Sequence, residues 1–151
     1  MRVLSALIVG FVLTCCFGCG GGPTLYPVTG VVMMDGQPLS ACTVMFSPKS
    51  DGVGGPAVAV TAEDGTFALQ TTAGIRMGTG ALAGDYSVTF SKMEQRWDGR
   101  SYYVDSNQER VEDVRAHQTL PTAYTNATTT PFSANVSRND VHFTFELKSN
   151  P

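Results

Sequence analysis

The sequence predicts an all-β sandwich of seven short strands, and three features carry that prediction. Apolar and polar side chains alternate with a period of two over several short stretches. Sixteen glycines and eight prolines punctuate the chain between them, as a protein of many strands and tight turns requires. No helical periodicity competes before residue 93. The 151 residues have room for one domain and a short leader.

Val28 to Met34 is rich in β-branched and apolar residues and stops at Asp35-Gly36-Gln37-Pro38, where Gly36 supplies a positive φ. Thr43 to Ser47 places Val44 and Phe46 on one face, before Pro48 and glycines at 52, 54 and 55 open a loop. Ala57 to Thr61 and Thr66 to Thr71 flank Glu63-Asp64-Gly65. That Asp-Gly step predicts a hairpin with Val58, Val60, Phe67 and Leu69 facing the core. Gly74, Gly78, Gly80 and Gly84 then stud a loop leading into Asp85 to Lys92, where Tyr86, Val88 and Phe90 alternate with Ser87, Thr89 and Ser91. Because a strand follows them, these glycines do not form a phosphate cradle, which sits between a strand and a helix. A last hairpin is predicted from Ser133 to Val136, a turn at Ser137 to Asp140, and Val141 to Leu147. Val141, Phe143, Phe145 and Leu147 point inward there, while His142, Thr144, Glu146 and Lys148 point outward.

The N-terminal residues have a different character. Arg2 precedes the apolar run Val3 to Leu13, and Thr14-Cys15-Cys16-Phe17-Gly18-Cys19-Gly20-Gly21-Gly22 follows. A basic start, an apolar stretch and a small-residue exit are the parts of an export signal, here residues 1–18. The run is shorter than the ~20 apolar residues that cross a bilayer. Three of the four cysteines lie here, where no folded loops are near enough to staple. The segment resembles the lipobox of bacterial lipoproteins, which implies a diacylglyceryl cysteine at Cys19, with Cys16 as the alternative. Gly18 is the small residue before Cys19, whereas the leucine usual three residues before the cysteine is restored as Leu13 only for Cys16. Residues 19–26 then form a lipidated glycine-rich tether, and 27–149 the domain. The expected location is the cell envelope, anchored to a membrane, the outer one by preference. Cys42, the thiol left in the mature chain, reads as a small buried hydrophobe.

Tyr26-Pro27-Val28-Thr29-Gly30-Val31-Val32, Asp35-Gly36-Gln37-Pro38-Leu39 and Val44-Met45-Phe46-Ser47-Pro48 resemble, in that order, carboxypeptidase regulatory-like domains. Asp64-Gly65-Thr66-Phe67 and Ala83-Gly84-Asp85-Tyr86-Ser87-Val88 are similar to that family's second hairpin and its glycine-led strand. Leu120-Pro121-Thr122-Ala123-Tyr124, Thr130-Pro131-Phe132 and Phe143-Thr144-Phe145-Glu146-Leu147 are similar to the end of short bacterial lipoproteins built on this domain. The resemblance implies a transthyretin-like (prealbumin-like) Greek-key sandwich, no catalytic residues, and an accessory or surface role. Ala41 stands where the family often has glycine, and Ala123 where a basic residue commonly precedes the tyrosine.

A net charge of −3 and a pI near 5.2 lack the basic excess that nucleic-acid binding uses. Residues 92–115 hold 11 of the 23 charged residues, with both signs mixed. Ser106 and Glu109 have the spacing of a capping box, which allows a short helix from Asn107 to His117. This charged insertion supports two readings. In one, Trp97, Tyr102 and Tyr103 are flat surfaces that bind a ligand or partner, such as an envelope protein, glycan or peptide, through the 93–119 loop. In the other, 93–119 is a solvated crossover whose aromatics cover the sandwich edge. His117 and His142 have no second ligand at metal-binding spacing, and Asp35, Asp51 and Asp64 lie in different turns, so neither a metal nor a cofactor is expected. The leading expectation is a non-enzymatic, lipid-anchored binding or structural module. The alternative is an enzyme of the transthyretin-related hydroxyisourate hydrolase type; that family ends in Tyr-Arg-Gly-Ser, whereas this chain ends Glu146-Leu147-Lys148-Ser149-Asn150-Pro151.

Overall fold

The structure is a computed structural model that describes residues 23–50, 54–74, 76–103 and 110–151, with backbone only at 98, 100–103 and 110–113. The predicted leader, Cys16 and Cys19 lie outside the described residues. In chain order the strands are β1 (Leu25–Tyr26), β2 (Thr29–Met34), β3 (Gln37–Pro38), β4 (Thr43–Pro48), β5 (Ala57–Val60), β6 (Thr66–Ala68) and β7 (Gln70–Thr71). They continue with β8 (Gly78–Thr79), β9 (Ala81–Leu82), β10 (Gly84–Ser91), β11 (Met93–Tyr103), β12 (Arg110–Gln118), β13 (Ser133–Val136) and β14 (His142–Leu147). A 3-10 turn at Thr122–Tyr124 is the one helical element among the described residues.

One sheet has the order β13-β10-β4-β5-β7-β8; the other runs β14-β2-β3, with β6 also paired to β2. Alternation decides which residues fill the space between them. Val44 and Phe46 on β4, Tyr86, Val88 and Phe90 on β10, and Val32 and Leu147 on the opposite sheet are almost completely buried. Phe46 joins the sheets, its ring centroid 5.8 Å from Phe143, 6.1 Å from Phe145 and 6.4 Å from Phe67. Phe90 repeats the contact 5.2 Å from Phe145. Edge-on aromatic pairs of this kind contribute about 0.5–1.5 kcal/mol each beyond the area they bury. Gly30 is needed for this packing: a Cβ there would fall 2.7 Å from the Phe67 ring and against the Phe143 carbonyl.

The turns follow from local chemistry. Asp35 and Gly36, with φ of 50° and 79°, join Met34 to Gln37 as a two-residue hairpin loop. Asp64 accepts hydrogen bonds from the Thr66 amide (3.0 Å) and hydroxyl (2.7 Å), which holds its carboxyl below the usual carboxylate range. The Tyr86 hydroxyl donates back to the Leu82 carbonyl at 2.9 Å, locking the bend from which β10 springs. Ala41 lies in the left-handed region at φ 51°, a conformation that suits glycine better, so the alanine here carries backbone strain. Buried Thr61 secures that bend by accepting from the Cys42 amide (2.9 Å) and donating to the Leu39 carbonyl (2.6 Å).

Four expectations are corrected. Thr66 to Thr71 is not one arm of a hairpin: Thr66–Ala68 pairs with β2 in one sheet, and Gln70–Thr71 with β5 in the other, the chain crossing at buried Leu69. On β5, Ala57 and Ala59 face the core, while Val58 is half-buried and Val60 is 63% exposed. The register explains this, because Ala57 lies opposite Phe46 and Ala59 opposite Val44, and side chains that large leave room only for methyl groups beside them. The segments 133–136 and 142–147 do not pair as a hairpin either. β13 joins β10, while β14 crosses to the other sheet and lies parallel to β2, His142 beside Thr29 and Leu147 beside Met34. Finally, Arg110–Gln118 is a strand, not part of a helix over 107–117, and residues 107–109 lie outside the described residues.

Candidate functional site

The charged insertion forms an antiparallel β-ribbon, an arm that leaves the sandwich where β10 ends and rejoins it at buried Leu120. Local sequence favours a helix for β12 because Val111 and Val114 are three apart. Cross-strand pairing overrides that spacing: Trp97 lies opposite Val114, aromatic against β-branched, and the backbone of Tyr102 is in register with that of Val111. The register shifts between Trp97 and Ser101, around Gly99 at φ 86°.

A two-stranded ribbon is marginal in water by itself. Gln118 ties this one to the sandwich. Its side-chain carbonyl accepts from the Lys92 amide (2.9 Å) and the Leu120 amide (3.2 Å), and its amide nitrogen donates to the Ser91 hydroxyl (2.9 Å). The Thr119 amide completes the base, donating to the Lys92 carbonyl at 2.9 Å.

Strand alternation separates the arm into two faces. Met93, Gln95 and Trp97 lie opposite Gln118, Ala116 and Val114 on one of them. Met93, Trp97 and Val114 are each about half exposed, and none belongs to the buried core or to the residues packed against it. Trp97 is therefore not one of the side chains that close the sandwich core. Tyr102 and Tyr103 belong to β11, but their side chains lie outside the described residues. On the other face Glu94 and Arg96 lie opposite His117 and Arg115. Glu94, Arg96 and His117, together with Gln95, Gln118 and Thr119, line an open groove of about 520 Å³. A carboxylate, a guanidinium and an imidazole side by side suit hydrogen-bonded recognition of a polar ligand.

Sequence reasoning picked out Trp97 and missed Met93, Val114, Gln118 and the groove, because their association exists only in the paired register. The two histidines are not brought together. His117 is on the arm; His142 is on the outer face of β14, its Nδ1 3.1 Å from the Thr29 hydroxyl. Among the described residues, no group of three or more His, Cys, Asp or Glu side chains could hold a metal ion. Cys42 is buried, and burial pushes its thiol up to about 11, partly countered by the Ser91 backbone and Lys92.

Fold and site together define an all-β, sandwich-like protein carrying a projecting ribbon. No family model and no curated protein matches the chain. Among solved structures, a 9R-lipoxygenase from Cyanothece PCC8801 is similar over 82% of this chain and 16% of its own length, at 12% identity and a TM-score of 0.32. A similarity that low bears on neither fold family nor activity.

Proposed function

We propose that this chain is an exported, lipid-anchored module of the bacterial cell envelope, non-enzymatic, whose sandwich holds the 93–118 arm out for contact with an envelope protein or glycan. The observation that carries the reading is the arm itself. Among the described residues it pairs only with itself, is pinned at its base by Gln118, and keeps Met93, Trp97 and Val114 half exposed on one face. Apolar side chains withheld from the core and grouped on a projecting element are the composition of a recognition surface.

The anchor rests on Gly18-Cys19 and the apolar run before it, with Cys16 as the alternative. Assignment to the carboxypeptidase regulatory-like, prealbumin-like Greek-key type rests on the ordered motifs of residues 26–148. It is supported by the Tyr86–Leu82 bond, since a tyrosine hydroxyl returned to the backbone just upstream recurs at corners of immunoglobulin-like Greek-key sandwiches. The non-enzymatic reading rests on the same resemblance, which implies no catalytic residues.

Two measurements test the proposal. Mass spectrometry of the mature protein is expected to find diacylglycerol on Cys19 or Cys16, and a soluble product cut elsewhere would contradict the anchor. On glycan and peptide arrays, Trp97→Ala is expected to lose whatever binding the parent shows while its thermal melt stays unchanged. Binding that survives the substitution would remove the arm from the function.

A further inference from the structure

We infer that the sandwich stands end-on at an anionic phospholipid surface, with the end carrying β1 against the lipid and the arm directed away from it. The inference rests on the lipid-anchor reading above and adds an orientation, which follows from strand register and charge.

The tether enters through β1, where Leu25 pairs with Leu82. Five residues lie between Cys19 and Leu25, a span of six Cα–Cα steps, so this end of the sandwich lies within about 20 Å of the lipidated cysteine even with the tether fully extended. β10 starts two residues after Leu82 and runs away from it; its last residue, Ser91, lies opposite Thr43 at the other end of β4. The arm begins there. From Gly84 to Trp97 the strand path is about 43 Å long at ~3.3 Å per residue. The tether, entering through the small β1-β9 sheet, and the arm therefore leave from opposite ends of the sandwich.

Charge divides in the same sense. The turns at the tether end carry Lys49, Arg76 and Arg138 against Asp85 and Asp140, with Met77 69% exposed among them. Asp51, in the same loop as Lys49, lies outside the described residues. The opposite end, apart from the arm, carries Asp35, Glu63, Asp64 and Glu146 against Lys148 and, at the foot of the arm, Lys92. An anionic bilayer repels the second end and tolerates the first, and juxtamembrane basic side chains are drawn to such a surface. An exposed methionine next to an arginine, at an end that also carries Lys49 and Arg138, suits the headgroup boundary.

Trp97 is the protein's sole tryptophan and so reports the position of the arm directly. The test uses the full lipidated protein in vesicles of phosphatidylethanolamine and phosphatidylglycerol with spin-labelled headgroups. Parent protein is compared with Met77→Trp placed in a Trp97→Phe background. Both proteins are expected to float with the vesicles, with position 77 quenched several-fold more than Trp97. Replacing Lys49, Arg76 and Arg138 by Glu is expected to reduce the quenching at 77 without abolishing flotation. Equal quenching at the two positions, or stronger quenching at Trp97, in protein that floats would overturn the orientation and leave the anchor standing. Protein that stays in solution would overturn the anchor reading, and the orientation with it.

Discussion

Excising residues 93–118 and joining Lys92 to Thr119 through Asn-Gly is expected to leave the sandwich folded. The Thr119 amide already donates to the Lys92 carbonyl at 2.9 Å, and with two residues between them that bond becomes the i to i+3 bond of a tight turn. Asn-Gly is the preferred pair for the type I′ loop that connects adjacent antiparallel strands. The excision removes three hydrogen bonds made by Gln118, largely at the surface, at about 0.5–1.5 kcal/mol each. Shortening the connection from 26 residues to two returns about 2 kcal/mol of loop-closure entropy. The two effects nearly cancel, so stability should change by no more than about 2 kcal/mol. Urea unfolding followed by circular dichroism measures this without Trp97. A cooperative transition with a similar midpoint is expected; loss of cooperativity would show that the arm is part of the core and refute its description as an appended element.

The remaining predictions concern the sandwich. Tyr86→Phe removes the hydroxyl bonded to Leu82 and is expected to destabilise by about 1–2 kcal/mol, read as a lower urea midpoint at constant slope. Ala41→Gly relieves a left-handed alanine and is expected to stabilise by about 0.5–1 kcal/mol after the added freedom of the unfolded chain is subtracted; a lower midpoint would rule out the strain. Asp64 is held below its unfolded pKa of about 3.9 by Thr66, so the unfolded chain takes up more protons in acid. Its contribution is complete above that value and disappears as the pH falls through the folded one; Asp64→Asn should therefore flatten the decline in stability between about pH 5 and pH 2. With the three N-terminal cysteines replaced, Cys42 is expected to react with thiol reagents at pH 8 only as fast as the protein opens, because burial holds the thiol near 11. Fast reaction in the native state would contradict that burial.

Alternation was enough to read β4, β10, β13 and β14, whereas β2 was legible from its run of β-branched and apolar residues and the Asp35-Gly36 turn that ends it. It failed on β5, where Ala57, Val58, Ala59 and Val60 are apolar throughout and size alone suggested that the valines turn inward. The deciding fact was non-local: Phe46 and Val44 lie alongside and leave room only for alanine. The turns at 62–65 and 137–140 were placed correctly, but a turn that brings strands side by side and one that sends the second strand to the facing sheet use the same residues. What distinguishes them is the partner each strand finds, β2 for both β6 and β14. In the arm, a capping-box spacing and two valines three apart gave a local helical signal that pairing with β11 overruled. Trp97 stood out by its chemistry, whereas the groove beside it is built from ordinary charged residues whose proximity depends on register.

The parallel union of β14 with β2 also bears on when the protein can fold. Phe143, Phe145 and Leu147 take their places against the other sheet only after residues 142–147 have been made and have found β2. Until then the first long strand has one flank open, and the aromatic layer lacks the rings that meet Phe46 and Phe90. A polypeptide built in this way stays loose until its late strand docks and then sets into shape.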